Sequence, residues 1–479
     1  MSGNLTPTGR DATRRDWFAL ALLCSAFLVV VLGSTIVFAA APMMAAELGF
    51  ADDTIQWIFA AAALPAGGLL ILGGRLADIL GRRRMFMTGT LLFTVSSTMA
   101  GFAWSDIALI AARILQGSSV ALLTPAALAL VSTVFTSEQK RNKALGIWSM
   151  IGGVGATVGL LVGGVASEAL GWRSIFFLNV PIGIGTLVVA PLVISADRRS
   201  ESSVPGSRLD FAGAVTITGA LLSLVYVVTE GPQVGWASTE TFGLTALAVV
   251  LFAAFIIVEI RAVTPLVPLV MLRQRALAAG NVIMLVAGAA VDGLLLVLTL
   301  YAQEVLNYTA IEYGLALAVM TVASIAASYA AQHFIGRIGV RRVACAGMVL
   351  IGAACILLST VRVNGTFLED LLPALVLFGL GMGASYVAGS IASLSGASED
   401  DSGAASGLQT TSFTVGNALG VAFLSTVASA CLGPVRELGA LTTGYRAAFS
   451  AAALLAAAGL IAALALPATK SKRKLSGSQ

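Results

Sequence analysis

The chain has 479 residues, 58% of them hydrophobic and 11% charged, with a mean hydropathy of +0.93 and a net charge of +4, whereas a soluble domain carries roughly 25% charge. That balance excludes a soluble fold, and the lack of ten-residue alternating segments excludes a strand barrel. The single histidine, His333, excludes a multi-histidine metal centre, and no G-x-x-x-x-G-K-[ST] run precedes any lysine, so the sequence implies no metal, no cofactor and no ATP hydrolysis of its own.

Charges fall in short clusters between apolar stretches of about 20 residues, the length of a helix that crosses ~30 Å of hydrocarbon. In chain order the predicted spans lie near 17–41, 53–75, 84–104, 106–135, 143–168, 174–195, 210–229, 241–260, 276–301, 312–334, 341–361, 370–394, 404–431 and 445–466. The first is too long for a signal-peptide core and follows Arg14, Arg15 and Asp16, so it reads as a retained span. With both termini inside, only Arg173, Arg362, Arg436 and Arg446 fall on the outer side and only Arg113 within a span. The other lysines and arginines are inside, as the positive-inside rule requires, so the positive charge reports topology and not nucleic-acid binding. Cys24, Cys345, Cys355 and Cys431 lack C-x-x-C spacing and read as small buried hydrophobes.

Gly81-Arg82-Arg83-Arg84, after the second span, is echoed by Gly339-Val340-Arg341-Arg342 after the tenth. The echo hints at duplication and predicts a six-helix half over 1–196, a linker with two inserted helices over 197–262, a second six-helix half over 263–469 and a tail over 470–479. Between Gly74 and Arg84, Asp78 sits at a helix end ahead of a tight turn and three guanidiniums. One reading is a breakable ionic latch built from Gly74, Asp78, Gly81, Arg82 and Arg83; the other is positive-inside anchoring alone, although anchoring needs neither the acid nor the glycines.

This stretch resembles the signature of the major facilitator superfamily, G-x-L-A-D-x-x-G-R-[KR]-x. Arg113-Ile114-Leu115-Gln116-Gly117 is similar to the family's R-x-x-Q-G motif. Gly155, Gly159, Gly163 and Gly164 resemble the antiporter motif G-x-x-x-G-P-x-x-G-G, with Leu160 in place of its proline; close helix packing alone also accounts for such glycines. The run from Gly171 to Gly183, with Tyr301-Ala302-Gln303 and Ser406-Gly407-Leu408, extends the resemblance to the fourteen-helix drug:proton antiporter branch nearly end to end. The first helix departs from it: the branch usually has L-D-x-T-I-V-N-V-A-L-P, and here Gly33 replaces the acid and Phe38 the polar residue.

The resemblance implies an all-α major facilitator fold with 14 transmembrane helices, two six-helix halves plus two inserted helices, in the cell membrane. It implies proton-coupled export of drugs, antibiotics or dyes by a monomer whose partners are a small-molecule substrate, protons and the bilayer. A dedicated exporter of one metabolite or antibiotic and a non-transporting sensor are the alternatives. An enzyme is not expected, because no nucleophile and base are paired at one depth.

Asp292 lies about fifteen residues into the ninth span, roughly 22 Å from its inner end. A carboxylate at that depth is costly unless paired, hydrated or protonated, which makes Asp292 the candidate carrier of the coupling proton; a structural acid paired within the bundle is the other reading. Arg113, the only cation inside a span, needs an anion. Asp292 is one candidate partner, on the resemblance's placement of both helices around one cavity, and backbone carbonyls are the other. Gln116, Gln303, Tyr386 and Asn417 are candidate linings of a substrate path.

Overall fold

The computed structural model describes residues 13–50, 54–135, 138–194, 211–235, 237–262, 269–395, 402–431 and 437–467. The predicted linker segment 197–210, the tail 470–479 and the side chain of Asp78 lie outside the described residues. Among those described, every regular element is a helix. They are α1 (Arg14–Leu48), α2 (Trp57–Leu80), α3 (Arg82–Gly101), α4 (Asp106–Val134), α5 (Glu138–Leu170), α6 (Ser174–Phe177), α7 (Asn179–Val193), α8 (Phe211–Val234), α9 (Thr239–Arg261), α10 (Arg275–Leu300), α11 (Ala310–Ile338), α12 (Val340–Leu358), α13 (Leu372–Ser393), α14 (Ser402–Ala430) and α15 (Leu438–Ala465). A 3-10 turn, Leu269–Arg273, precedes α10, and π-helical turns Tyr301–Val305 and Phe367–Leu371 extend α10 and open α13. Ten helical segments are long and apolar enough to cross a membrane, and Trp57–Leu70 and Ala212–Val228 are shorter apolar stretches. The protein is a multi-pass helical membrane protein.

Helix ends follow from local chemistry. α1 begins earlier than the apolar run because Thr13 and Asp16 form a capping box, with Thr13 N–H donating to Asp16 Oδ2 at 2.7 Å. It runs through Pro42 and stops at Gly49, whose φ of 76° is left-handed. The sixth predicted span is two helices. Pro181 has no N–H to donate to Phe177 and its ring crowds that carbonyl, so the ladder breaks at Leu178. Gly81 (φ 104°) and Gly339 (φ 88°) each turn the chain into the helix that follows, α3 and α12. The two echoing sequences therefore share a backbone conformation that favours glycine.

The chain divides into two compact units: Met1–Leu224 with Leu244–Leu266 and Tyr308–Leu315, and Val225–Gly243 with Val267–Asn307 and Ala316–Gln479. In the first, α1 packs on α5 and α7, α4 on α2 and α3, and α3 on α7. In the second, α10 packs on α14 and α15, α13 on α10 and α12, and α12 on α15. Most of these pairings match when α1, α3, α4, α5 and α7 are exchanged for α10, α12, α13, α14 and α15. Glycines set the close approaches: Gly117 of α4 meets the Ala62 carbonyl of α2, and Gly379 and Gly383 of α13 meet the Met320 and Ser324 carbonyls of α11. Lipid is as apolar as leucine, so such backbone contact replaces the hydrophobic effect as the force between helices.

At one end of the first unit, Arg15 donates to the Val193 and Leu192 carbonyls at 3.1 and 3.2 Å, and Arg83 to Pro191 at 3.3 Å. These cations neutralise the C-terminal dipole of α7. At the other end Glu47 accepts from the Trp172 indole at 2.6 Å and pairs with Arg173, whose guanidinium lies 4.3 Å from the Trp172 ring centre. In the second unit Arg362 binds Glu369 at 2.6 Å and Asp370 at 2.9 Å. Those two acids hold its guanidinium proton more tightly than usual.

Candidate functional site

Arg113 is placed by α4 at a point where α1 and α2 come near. Its Nε donates to the Ile58 carbonyl at 2.9 Å, and Nη1 donates to Gln116 Oε1 at 2.6 Å and to the Gly33 carbonyl at 3.5 Å. Gln116, one turn along α4, passes its Nε2 hydrogen to Ser97 Oγ of α3 at 3.1 Å. Arg113 and Gln116 are only 4% and 2% exposed. Within the first unit the partners of Arg113 are thus carbonyls and an amide, and no carboxylate of that unit's described residues forms an ion pair with it. Carbonyl oxygens satisfy part of a buried guanidinium without cancelling its charge.

Gln116 is tied into this network on both sides, accepting from Arg113 and donating to Ser97. Asn179, at the start of α7, was not singled out in the sequence. It is 3% exposed, its Nδ2 has no hydrogen-bond partner, and it faces Gly33. The signal near it in the sequence is Pro181, two residues on, which cannot donate to the Phe177 carbonyl.

The four antiporter-motif glycines are all contact points. Gly155 faces Leu28 and Val31 of α1, Gly159 faces Leu32 and Thr35, Gly163 faces Ile36, and Gly164 faces the Ala310 carbonyl. They let α5 lie against α1 without Leu160 having to be proline. Around the latch motif, Gly74 has only Pro125 nearby, at ordinary contact distance, and Arg82 reaches the Ala129 carbonyl at 3.5 Å. The predicted Asp78 latch falls on a side chain outside the described residues.

In the second unit Asp292 sits on α10, and its carboxylate makes no hydrogen bond or ion pair with the unit's other described residues. The helix there is bound tightly to α14. A Cβ at Gly288 would meet the Phe413 carbonyl and stand 2.6 Å from Asn417 Oδ1, and one at Gly293 would stand 2.6 Å from the Gly420 carbonyl. Asn417 Oδ1 is buried without a hydrogen-bond partner, and Gly288 is one turn before Asp292. Tyr386 of α13 meets Phe413 of α14 edge to face, with ring centres 5.4 Å apart. The structure thus brings Asn417 of α14 to the α10 surface that also carries Asp292, and seats Tyr386 of α13 against Phe413 of α14. Gln303 is set apart from them in the π-helical turn Tyr301–Val305. There Tyr445 donates to Glu304 at 2.8 Å and Tyr301 to the Arg362 carbonyl at 2.7 Å. Polar bridges that the sequence did not single out also cross this unit: Gln409 to Ser390 at 2.7 Å, and Ser412 to Asn281 at 3.1 Å.

The family model described as Major Facilitator Superfamily matches residues 23–291 and 280–479. The puromycin resistance protein of Streptomyces alboniger is 35% identical over 418 residues, which cover 87% of this chain and 82% of that one. The cephamycin export protein of Amycolatopsis lactamdurans is 36% identical over 423 residues, 88% of this chain and 87% of that one. Among solved structures, the nucleoside transporter NupG (D323A mutant) superimposes with a TM-score of 0.65 at 12% identity, covering 94% of this chain and 99% of that one.

Proposed function

This chain belongs to the major facilitator superfamily, and we propose that it works there as a fourteen-span, proton-coupled exporter of small hydrophobic compounds such as antibiotics or dyes. The observation that carries this reading is the resistance and export named for relatives that align with most of the chain. The count of fourteen adds α2, α3, α5 and α8, of 24, 20, 33 and 24 residues, to the ten apolar segments. The even number and the clustering of arginines at alternate loops support cytoplasmic termini. The repeated glycine turn and the repeated helix pairings support two halves, 1–196 and 263–469, with 197–262 between them.

In this reading the substrate binds near the membrane midplane and the two halves open alternately to either side. Asp292 loads and releases the coupling proton, supported by its depth in α10 and its lack of a partner within its unit. Asp78 and the arginines after it gate the exchange between states. A second reading, export of one dedicated compound, draws on the single antibiotics named for the two relatives. Counter-flow of a dye and antibiotic panel in proteoliposomes, with and without a proton gradient, tests both. Gradient-driven flux of several compounds is expected; flux of one alone selects the second reading, and flux of none refutes export. Asp292→Asn should abolish gradient-driven flux and retain substrate exchange. Equal proton release on substrate binding by wild type and Asp292→Asn would remove Asp292 from the mechanism.

A further inference from the structure

The end of α10 remote from Arg275 carries a carboxylate that the export mechanism leaves unused. After Leu300 the helix passes into the π-helical turn Tyr301–Val305, closed by the Leu306 N–H on the Tyr301 carbonyl at 3.2 Å. A π turn takes in one residue more than an α turn and so changes the direction of the side chains around it; such turns are frequent at functional sites. This one presents Glu304 to α15, where the Tyr445 hydroxyl donates to Glu304 Oε2 at 2.8 Å. Tyr445 is 3% exposed and Tyr301 fully buried, their rings meet edge to face with centres 6.4 Å apart, and Tyr301 donates to the Arg362 carbonyl at 2.7 Å. The tyrosine that donates is therefore held in place, while Glu304 itself is half-buried. All of these residues lie in the second unit.

A carboxylate has two oxygens and about four acceptor positions, and among the described residues Tyr445 fills one of them at Glu304. The neighbouring charges do not complete the set. Arg362 is bound to Glu369 at 2.6 Å and to Asp370 at 2.9 Å, and Arg446, beside Tyr445 on α15, donates through Nε to the Val361 carbonyl at 2.6 Å. The other acid on α10 is Asp292, twelve residues earlier and so about 18 Å along the helix axis. A partly dehydrated carboxylate that no cation neutralises is relieved by taking up a proton, which needs no cavity to enter. The protonated acid is a much poorer acceptor, because a hydrogen bond to a charged acceptor is roughly twice as strong as a neutral one.

We propose that Glu304 and Tyr445 form a second proton-binding site, separate from Asp292, and that loading it weakens the tie between this end of α10 and α15. The direction of loading rests on the export reading: in that topology this end of α10 faces outside, so external protons reach Glu304 directly. Tyr445 is a positioning residue, and Glu304 holds the proton.

The test is hydrogen exchange of the full chain in detergent, read as amide protection over 300–306 and 441–448 at about pH 8 and about pH 4.5, corrected for the intrinsic effect of pH on amide exchange. Wild type should lose protection by about threefold at the lower pH, as a local opening of the seam. Glu304→Gln keeps an acceptor for the Tyr445 hydroxyl and takes up no proton, so it should fold and hold the same protection at both pH values. Tyr445→Phe should be less protected than wild type at the higher pH and show no further loss at the lower. Asp292→Asn should lose protection as wild type does, which separates the two sites. No loss in wild type, an equal loss in wild type and Glu304→Gln, or a loss abolished by Asp292→Asn overturns the proposal. The two readings fail separately. Absence of all flux in proteoliposomes refutes export, and a protection loss unchanged in Glu304→Gln refutes the site even where several compounds are exported.

Discussion

Gly293→Ala and Gly352→Ala add the same methyl group to two helices and should move stability in opposite directions. At Gly293 the new Cβ would stand 2.6 Å from the Gly420 carbonyl oxygen, 2.8 Å from its carbon and 2.8 Å from Leu424 Cδ1. Two of the three neighbours are backbone and cannot rotate away, so α14 must retreat by about 0.4 Å for the closest contact to reach 3.0 Å. Overpacking of this kind costs about 1–3 kcal/mol, and alanine returns about 1 kcal/mol over glycine as a helix former. The net expectation is a loss of about 0–2 kcal/mol. At Gly352 the nearest neighbour is Ala456 Cβ at 3.7 Å, an ordinary contact. Only the helix term acts there, a gain of about 0.5–1 kcal/mol. Thermal unfolding in detergent, followed with a thiol-reactive dye, reads both. Cys24 and Cys355 are buried and report unfolding, while the exposed Cys431 and half-buried Cys345 are removed beforehand to lower the background. Shifts of equal sign and size in the two variants, or a more stable Gly293→Ala, would refute the idea that direct contact between the α10 and α14 backbones fixes this seam.

Asp78→Asn should slow transport several-fold and leave substrate affinity nearly unchanged, which paired binding and flux measurements check. Arg83→Gln should weaken the C-terminal end of α7 by about 0.5 kcal/mol, seen as faster hydrogen exchange of the amides at 190–194; unchanged exchange would show that Arg15 caps that end alone. Gly81→Ala and Gly339→Ala should each destabilise by about 1–2 kcal/mol, because both positions hold a positive φ that a Cβ opposes; thermal unfolding of the two variants measures this.

Most of the architecture was legible in the sequence because the bilayer imposes a length on each apolar run, and because Gly81 and Gly339 mark turns by a conformation other residues resist. The pairing of Arg113 with Gln116 was half legible. Their spacing of three put them on one helix face, but the contacts of Arg113 with the Ile58 and Gly33 carbonyls depend on how α1 and α2 lie against α4. Asn179 lay inside the Gly171–Gly183 run, whose resemblance to the branch gave no role to that one side chain. Its burial beside Gly33 depends on how α7 packs against α1, which hydrophobic periodicity does not encode. The opposite case is α3, whose serines and threonines weaken its apolar signal; Thr90, Thr94 and Thr98 each donate to the carbonyl four residues back at 2.8 Å, so the polar groups are spent within the helix.

The clamp of Trp172 between Glu47 and Arg173 gives the molecule a built-in optical reporter. The indole is 2% exposed while its N–H is held by a carboxylate and its face by a guanidinium. Any motion that draws the end of α1 away from the start of α6 wets the ring and moves its emission to longer wavelength. Trp17, Trp57, Trp104, Trp148 and Trp172 lie in the first unit and Trp236 in the second, so intrinsic fluorescence reports mainly on the first unit. One unlabelled protein can therefore be followed by emission on one side of the repeat and by thiol chemistry at Cys355 on the other.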